Sequence, residues 1–204
     1  MKNGNNINIE EHPNWYYDIP VMDTLILGSY PPHPDKRNYE FYYPNKRNHF
    51  WKILAAIYTN YQLTHFDGSE AVQERKRLME GLKIGVQNIG KTISRIRNSS
   101  LDTNISIIEY NDIISILKKH PELKLIILPG FSAKSSTYHG FCNYLKLHNI
   151  AFSAPVKPSH GLSFSFTFDK REIKCIICTS TSTATKIKLE SMIDKFKEVL
   201  RFPV

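Results

Sequence analysis

Three short apolar runs set the strongest limit on what this chain can fold into. Thr24–Leu27, Lys124–Leu128 and Glu172–Cys178 carry β-branched and aliphatic residues and end abruptly in Gly, Pro, Ser or Thr. They read as buried strands that run into loops. Between and after them lie segments with helical apolar spacing: His49 to Tyr58, Ser69 to Leu82, Asn111 to His120, Ser132 to His148 with a break expected at Gly140, and Ala184 to Arg201. Strands alternating with helices imply a mostly parallel central sheet with helices on both faces, a three-layer α/β fold. In such sheets a ligand sits outside the carboxyl ends of the strands, here the loops after Leu27, Leu128 and Cys178. Ser163–Phe168 alternates Ser or Thr with Phe, and Asp169-Lys170 turns it back, so a hairpin is expected at that edge. Ile84 to Arg97 mixes apolar, Gly and basic residues and is expected to be irregular. The 204 residues suit one domain, residues 11–204, after a loose Asn-rich tail at 1–10.

The apolar runs are far too short to span a bilayer, and no apolar signal region follows Met1. A cytoplasmic, monomeric protein with no membrane partner is expected. The cysteines are Cys142, Cys175 and Cys178, an odd count that argues against a disulfide framework. Cys175 and Cys178 form a C-x-x-C, but no second pair completes a metal site, so they read as buried strand thiols and no metal or cofactor is expected. The formal net charge is +8. An excess of this size favours a polyanionic partner. The basic residues gather near the motifs: Lys36, Arg37, Lys46, Arg47, Lys91, Arg95 and Arg97.

Three clusters carry candidate chemistry. The first is Leu25-Ile26-Leu27-Gly28-Ser29-Tyr30-Pro31, followed by Tyr42-Tyr43-Pro44-Asn45-Lys46-Arg47-Asn48-His49-Phe50-Trp51-Lys52. The stretch from Pro31 to Asn48 has no periodicity, and a loop that long inside a compact domain is usually functional. The second is Gly85-Val86-Gln87-Asn88-Ile89. The third, Thr179-Ser180-Thr181-Ser182-Thr183-Ala184-Thr185-Lys186, precedes the last helix.

A strand ending in Gly-Ser-aromatic-Pro, then Tyr-Tyr, four residues and Asn-x-Phe-Trp-Lys, resembles the opening of the hypoxanthine-DNA glycosylases. These are a branch of the uracil-DNA glycosylase superfamily, related to the mismatch-specific uracil and thymine glycosylases. The resemblance runs from about His12 to the last helix, and the Tyr-Tyr to Phe-Trp block is its specific part. It implies a compact α/β fold, flipping of a deaminated base out of DNA, and hydrolysis of its N-glycosidic bond without metal or cofactor. It implies Tyr43 as the plate on which the base stacks, with Gly28 and Tyr30 beside it. It implies Asn48 as the group that orients the water, where near relatives use an Asn at the position of Ser29. Asn88 matches the Asn that faces the base edge, where the hypoxanthine branch usually has Asp. Ser180, Thr181 and Ser182 match the loop that pinches the DNA strand, while Thr179, Thr183 and Thr185 replace two prolines and an Asn. Lys46, Arg47 and Lys186 complete the expected DNA contacts.

Each residue also has a plainer reading. Asn48 fits a helix N-cap, Tyr43 a half-buried loop tyrosine, Asn88 a turn residue, and the third cluster a polar capping loop. His160 in Pro158-Ser159-His160-Gly161 reads as an acid or as a solvated loop histidine. The alternative to an enzyme is a nucleic-acid-binding module that keeps the fold and has lost catalysis.

Overall fold

The computed structural model describes residues 7–58 and 62–200. Its strands are β1 (Ile7–Glu11), β2 (Thr24–Gly28), β3 (Ile84–Asn88), β4 (Gly90–Ile96), β5 (Ile105–Tyr110), β6 (Leu125–Pro129), β7 (Ser163–Phe168) and β8 (Arg171–Cys178). Its helices are α1 (Phe50–Tyr58), α2 (Gly68–Leu82), α3 (Ile113–Lys119), α4 (Thr137–Leu147) and α5 (Leu189–Val199). The central sheet has the order β3-β2-β6-β8-β7. β3, β2, β6 and β8 run parallel, and β7 returns antiparallel along β8 as the expected hairpin. Helices flank this sheet, so the three-layer α/β expectation holds. Leu25, Ile26, Leu27, Ile126, Ile127, Leu128, Cys175 and Ile177 are buried between the layers. A strand covered on both faces has this near-continuous apolar run. None of the described helices is long and apolar enough to cross a membrane.

Several expectations are corrected. Ile84–Arg97 is not irregular. Ile84–Asn88 is a wholly buried strand paired with β2, and Gly90–Ile96 is the centre of an antiparallel sheet of order β1-β4-β5. Within the stretch expected to be a loose tail, residues 7–10 belong to β1, which pairs with β4; residues 1–6 lie outside the described residues. α4 starts only at Thr137 and passes unbroken through Gly140. A Cβ at Gly140 would lie 3.2 Å from both Ile89 and Ile107, so the glycine permits close helix–sheet packing rather than a break. The last helix begins at Leu189, after a separate 3-10 turn at Thr183–Thr185; Arg201 lies outside the described residues. The buried Cys175 and Cys178 are three residues apart in one strand, so their thiols face opposite sides of the sheet.

Candidate active site

A cleft of about 760 Å3 opens where β2, β3, β6 and β8 end. Gly28, Asn88 and Pro129 are the last residues of three of these strands, and Ser180 follows the fourth. The chain leaves β2 for β3 on one side and later crosses back to β6 on the other, so the cleft lies at a switch in strand order. Gly28, Ser29, Tyr30, Tyr43, Arg47, Asn48, Asn88, Ser180, Thr181 and Ser182 all line it. Lys46 and Lys186 are exposed and do not line it. A second hollow of about 750 Å3 runs along α4 and the loop at 150–156. It has no carboxylate in its lining and none of the residues that end the parallel strands, so the chemistry is assigned to the first cleft.

The floor is built from Gly28, Asn88 and Tyr43. Asn88 is buried, and β-pairing sets it beside Gly28. A Cβ on Gly28 would fall 2.2 Å from Asn88 Oδ1, so only glycine leaves that oxygen its place. Asn111 Nδ2 donates to the Asn88 carbonyl (2.9 Å), and Asn88 Nδ2 meets His12 Nε2 at 3.1 Å. Tyr43 is held at φ 49°, a left-handed conformation that costs a non-glycine residue about 1 kcal/mol. The surrounding loop imposes it: Tyr39 Oη donates to the Tyr43 carbonyl (2.8 Å), and Trp51 Nε1 donates to that of Tyr42 (2.9 Å). One face of the Tyr43 ring stacks on Phe50 at 3.7 Å. Its hydroxyl is buried and has no hydrogen-bond partner among the described residues, close to Gly28 and Asn88. Burial raises its pKa, so it stays a neutral donor. Tyr30 lines the cleft, but its ring is buried with Ile93 and Ile105 and meets His12 edge-on at 5.7 Å.

One wall joins the first and third clusters. Asn48 Oδ1 accepts from Phe50 N at the start of α1 (2.9 Å) and from Thr181 Oγ1 (2.9 Å). The helix-capping role and the cleft position therefore coexist, but both lone pairs of Oδ1 are occupied. Asn48 Nδ2 has no partner among the described residues and is the group left to hold a ligand. His49 N donates to the Thr181 carbonyl (3.0 Å), while Ser180 and Ser182 hydroxyls accept from Ser182 N and Ala184 N. The Ser180 and Ser182 hydroxyls thus pin this loop, which has Thr179 and Thr183 where the resembling motif has proline. His160 anchors its start: Nδ1 accepts from Thr179 N (3.1 Å), leaving Nε2–H to donate to the Lys195 carbonyl (3.0 Å). With both nitrogens engaged, His160 braces the loop.

Sequence reasoning missed Asp102. It lines the cleft, and Ser29 Oγ donates to its Oδ1 at 2.7 Å. Burial pushes its carboxyl above the ordinary carboxylate range, against the opposing pull of the Ser29 hydroxyl and the Arg95 charge. A carboxyl perturbed in this way within a cleft marks a candidate acid–base or charge-stabilising group. Its only sequence signal was an acidic residue in a Ser-rich loop, 73 positions from Ser29.

The basic residues are less uniform than their clustering suggested. Arg95 is fully buried, bound to Glu10 and to the carbonyls of Pro31 and Ser99. Arg37 pairs with Glu40 and covers Trp15, and Lys91 pairs with Glu109. Lys36 and Arg47 are the cations that reach the cleft rim.

No protein-family profile matches the chain, and no curated protein does. Among solved structures it is similar to the solution NMR structure of a Methanosarcina acetivorans protein provisionally named uracil DNA glycosylase. The two share 21% identity over 95% of this chain and 100% of that one, with a TM-score of 0.58. The similarity establishes a shared fold.

Proposed function

We propose that the cleft hydrolyses the N-glycosidic bond of a deaminated base, uracil or hypoxanthine, flipped out of DNA, and that a cytoplasmic monomer does so. The observation that carries this reading is the floor: an amide edge at Asn88 and a neutral hydroxyl at Tyr43 with no partner among the described residues, both converging on the only residue that leaves room for them, Gly28. A base inside a duplex cannot reach such a floor, so it must be extruded into the cleft. The shared fold with a protein bearing a glycosylase name supports the reading, as do the motifs of the first cluster.

The chemistry follows from the charges. As the bond to the base breaks, its electron pair leaves with the base and positive charge builds on the sugar. Ionised Asp102 stabilises that charge and accepts the proton of the water that adds to the sugar carbon. Asn48 Nδ2 donates to the water oxygen and fixes its place. The base leaves along the edge held by Asn88 and Tyr43 and takes up a proton from solvent. Asn48→Ser keeps an acceptor for Phe50 N and loses the amide donor. A single-turnover assay should show about tenfold slower excision, the worth of one hydrogen bond of ~1.4 kcal/mol. Full activity in that variant would reduce Asn48 to a helix cap.

The rim tests the partner. Arg47→Ala should weaken binding to all DNA sequences alike and lower the slope of log affinity against log salt by about one. Arg95→Ala should instead lower the melting temperature, because it strands Glu10 and two carbonyls. Affinity that ignores salt in the unaltered protein would remove DNA as the partner. DNA binding without excision would leave the alternative, a binding module on the same fold.

A further inference from the structure

His12 lies outside every motif, yet it touches the residue at the centre of the floor. Its Nδ1 is 2.5 Å from the Pro13 carbonyl, and its Nε2 is 3.1 Å from Asn88 Nδ2. A carbonyl oxygen only accepts, so Nδ1 must carry the hydrogen. Burial, the largest influence on the ring, holds its pKa down at about 4, so the ring is neutral at physiological pH. A neutral imidazole has one N–H, which leaves Nε2 a bare lone pair. The group of Asn88 that faces it must then be the NH2. The amide is fixed in one sense: Nδ2 toward His12, and Oδ1 over Gly28 at the cleft floor. Edge contacts with Trp15 and Tyr30 hold the imidazole ring in place.

That sense matters chemically. Oδ1 accepts no hydrogen bond from the described residues and is offered to the cleft. The second Nδ2 hydrogen and the orphaned Tyr43 O–H supply donors beside it. The floor therefore presents an acceptor next to donors. Uracil and hypoxanthine present the complement, a ring N–H next to a carbonyl. Cytosine and adenine present the reverse, a bare ring nitrogen next to an NH2. Turning the Asn88 amide over would invert the preference. We propose that His12 is the positioning residue that sets base specificity: its bare Nε2 locks Asn88 so that the cleft takes bases with a ring N–H beside a carbonyl. This rests on the reading of the cleft as a base-excision site.

The test has two arms. In the first, single-turnover excision of uracil and of hypoxanthine from DNA is measured for the unaltered protein, His12→Phe, His12→Gln, Asn88→Ala and the Phe/Ala double variant. Phe keeps the ring packing and removes the lone pair, whereas Gln restores an acceptor. His12→Phe should slow excision tenfold or more, His12→Gln should recover most of it, and His12→Phe should cost nothing further once Asn88 is Ala. A merely structural role predicts instead that the two losses multiply and that Gln does not rescue. Multiplying losses, or an unchanged rate in His12→Phe, would overturn the proposal. The second arm reads the ring directly by long-range 1H–15N spectra of the unaltered protein. The proton should sit on Nδ1, with the Asn88 amide hydrogens losing their protection in His12→Phe. A proton on Nε2 overturns the lock whatever the activity. If the protein excises neither base while the ring is Nδ1–H, the base-excision reading fails and the lock alone stands.

Discussion

Asp102→Asn should abolish most of the activity without harming the fold. The neutral amide keeps an oxygen to accept from Ser29 Oγ, so the 2.7 Å contact survives. What it loses is the negative charge that the proposed mechanism sets against the sugar, and the proposed acceptor for the proton of the water. Groups that stabilise charge developing in a transition state are typically worth a hundredfold or more in rate, and a loss of that order is expected in single-turnover excision with DNA affinity nearly unchanged. The pH profile provides the signature. Burial raises the pKa of this carboxyl, and the proposed mechanism uses it in the ionised form. The rate of the unaltered protein should therefore fall on the acid side as Asp102 takes up a proton, and the variant should lose that limb. Stability should move the other way. A carboxyl whose folded pKa is raised stabilises the fold only when protonated, and that contribution is lost as pH rises through the raised value. Removing the charge at neutral pH should therefore leave the melting temperature the same or higher. A variant that is both slower and less stable would assign Asp102 a structural role.

Gly28→Ala should be nearly as damaging for a steric reason. The added methyl would fall 2.2 Å from Asn88 Oδ1, 3.3 Å from its Cγ and 3.3 Å from the Tyr43 hydroxyl. The backbone at Gly28 is ordinary strand and tolerates alanine, so the strain concentrates on the Asn88 side chain. That side chain must swing away, which breaks its bond to His12 and removes the acceptor from the floor. Overpacking of this kind costs about 1–3 kcal/mol of stability, whereas excision should fall on the order of a hundredfold or more. Asn88→Ala relieves the clash. The Gly28→Ala/Asn88→Ala pair should thus be as stable as Asn88→Ala alone and no slower. Additive losses in the pair would show that the methyl blocks the cleft itself.

The architecture was legible because its parallel strands advertise themselves. Their carboxyl-terminal parts, residues 25–27, 126–128 and 175–178, are apolar and buried on both faces and stop at glycine, proline or hydroxyl residues, so the carboxyl-end loops could be placed from sequence. β3 was hidden because Gly85, Gln87 and Asn88 break the apolar pattern of Ile84 and Val86. Their polarity is satisfied by residues far along the chain: Tyr42 Oη donates to Gln87 Oε1, 45 positions away, and His12 holds Asn88, 76 positions away. Arg95 was misleading for the same reason. It counted among the basic residues gathered near the motifs until Glu10, 85 positions away, proved to be its partner. Asn48 was found through a motif whose spacing sets a helix start at a loop mouth. Asp102 and His12 act through tertiary pairing alone, and no local pattern announces such residues.

Excision itself is the most direct measure of the account. Duplex and single-stranded oligonucleotides carrying one uracil, hypoxanthine, xanthine or T·G mismatch are incubated with the purified protein and with Asp102→Asn, then treated with alkali to break abasic sites. The account predicts strand breaks at the uracil or hypoxanthine position with the unaltered protein, with no metal or cofactor added, and breaks slower by a hundredfold or more with the variant. Intact strands for every substrate, from protein that is folded and still binds the same DNA, would contradict it.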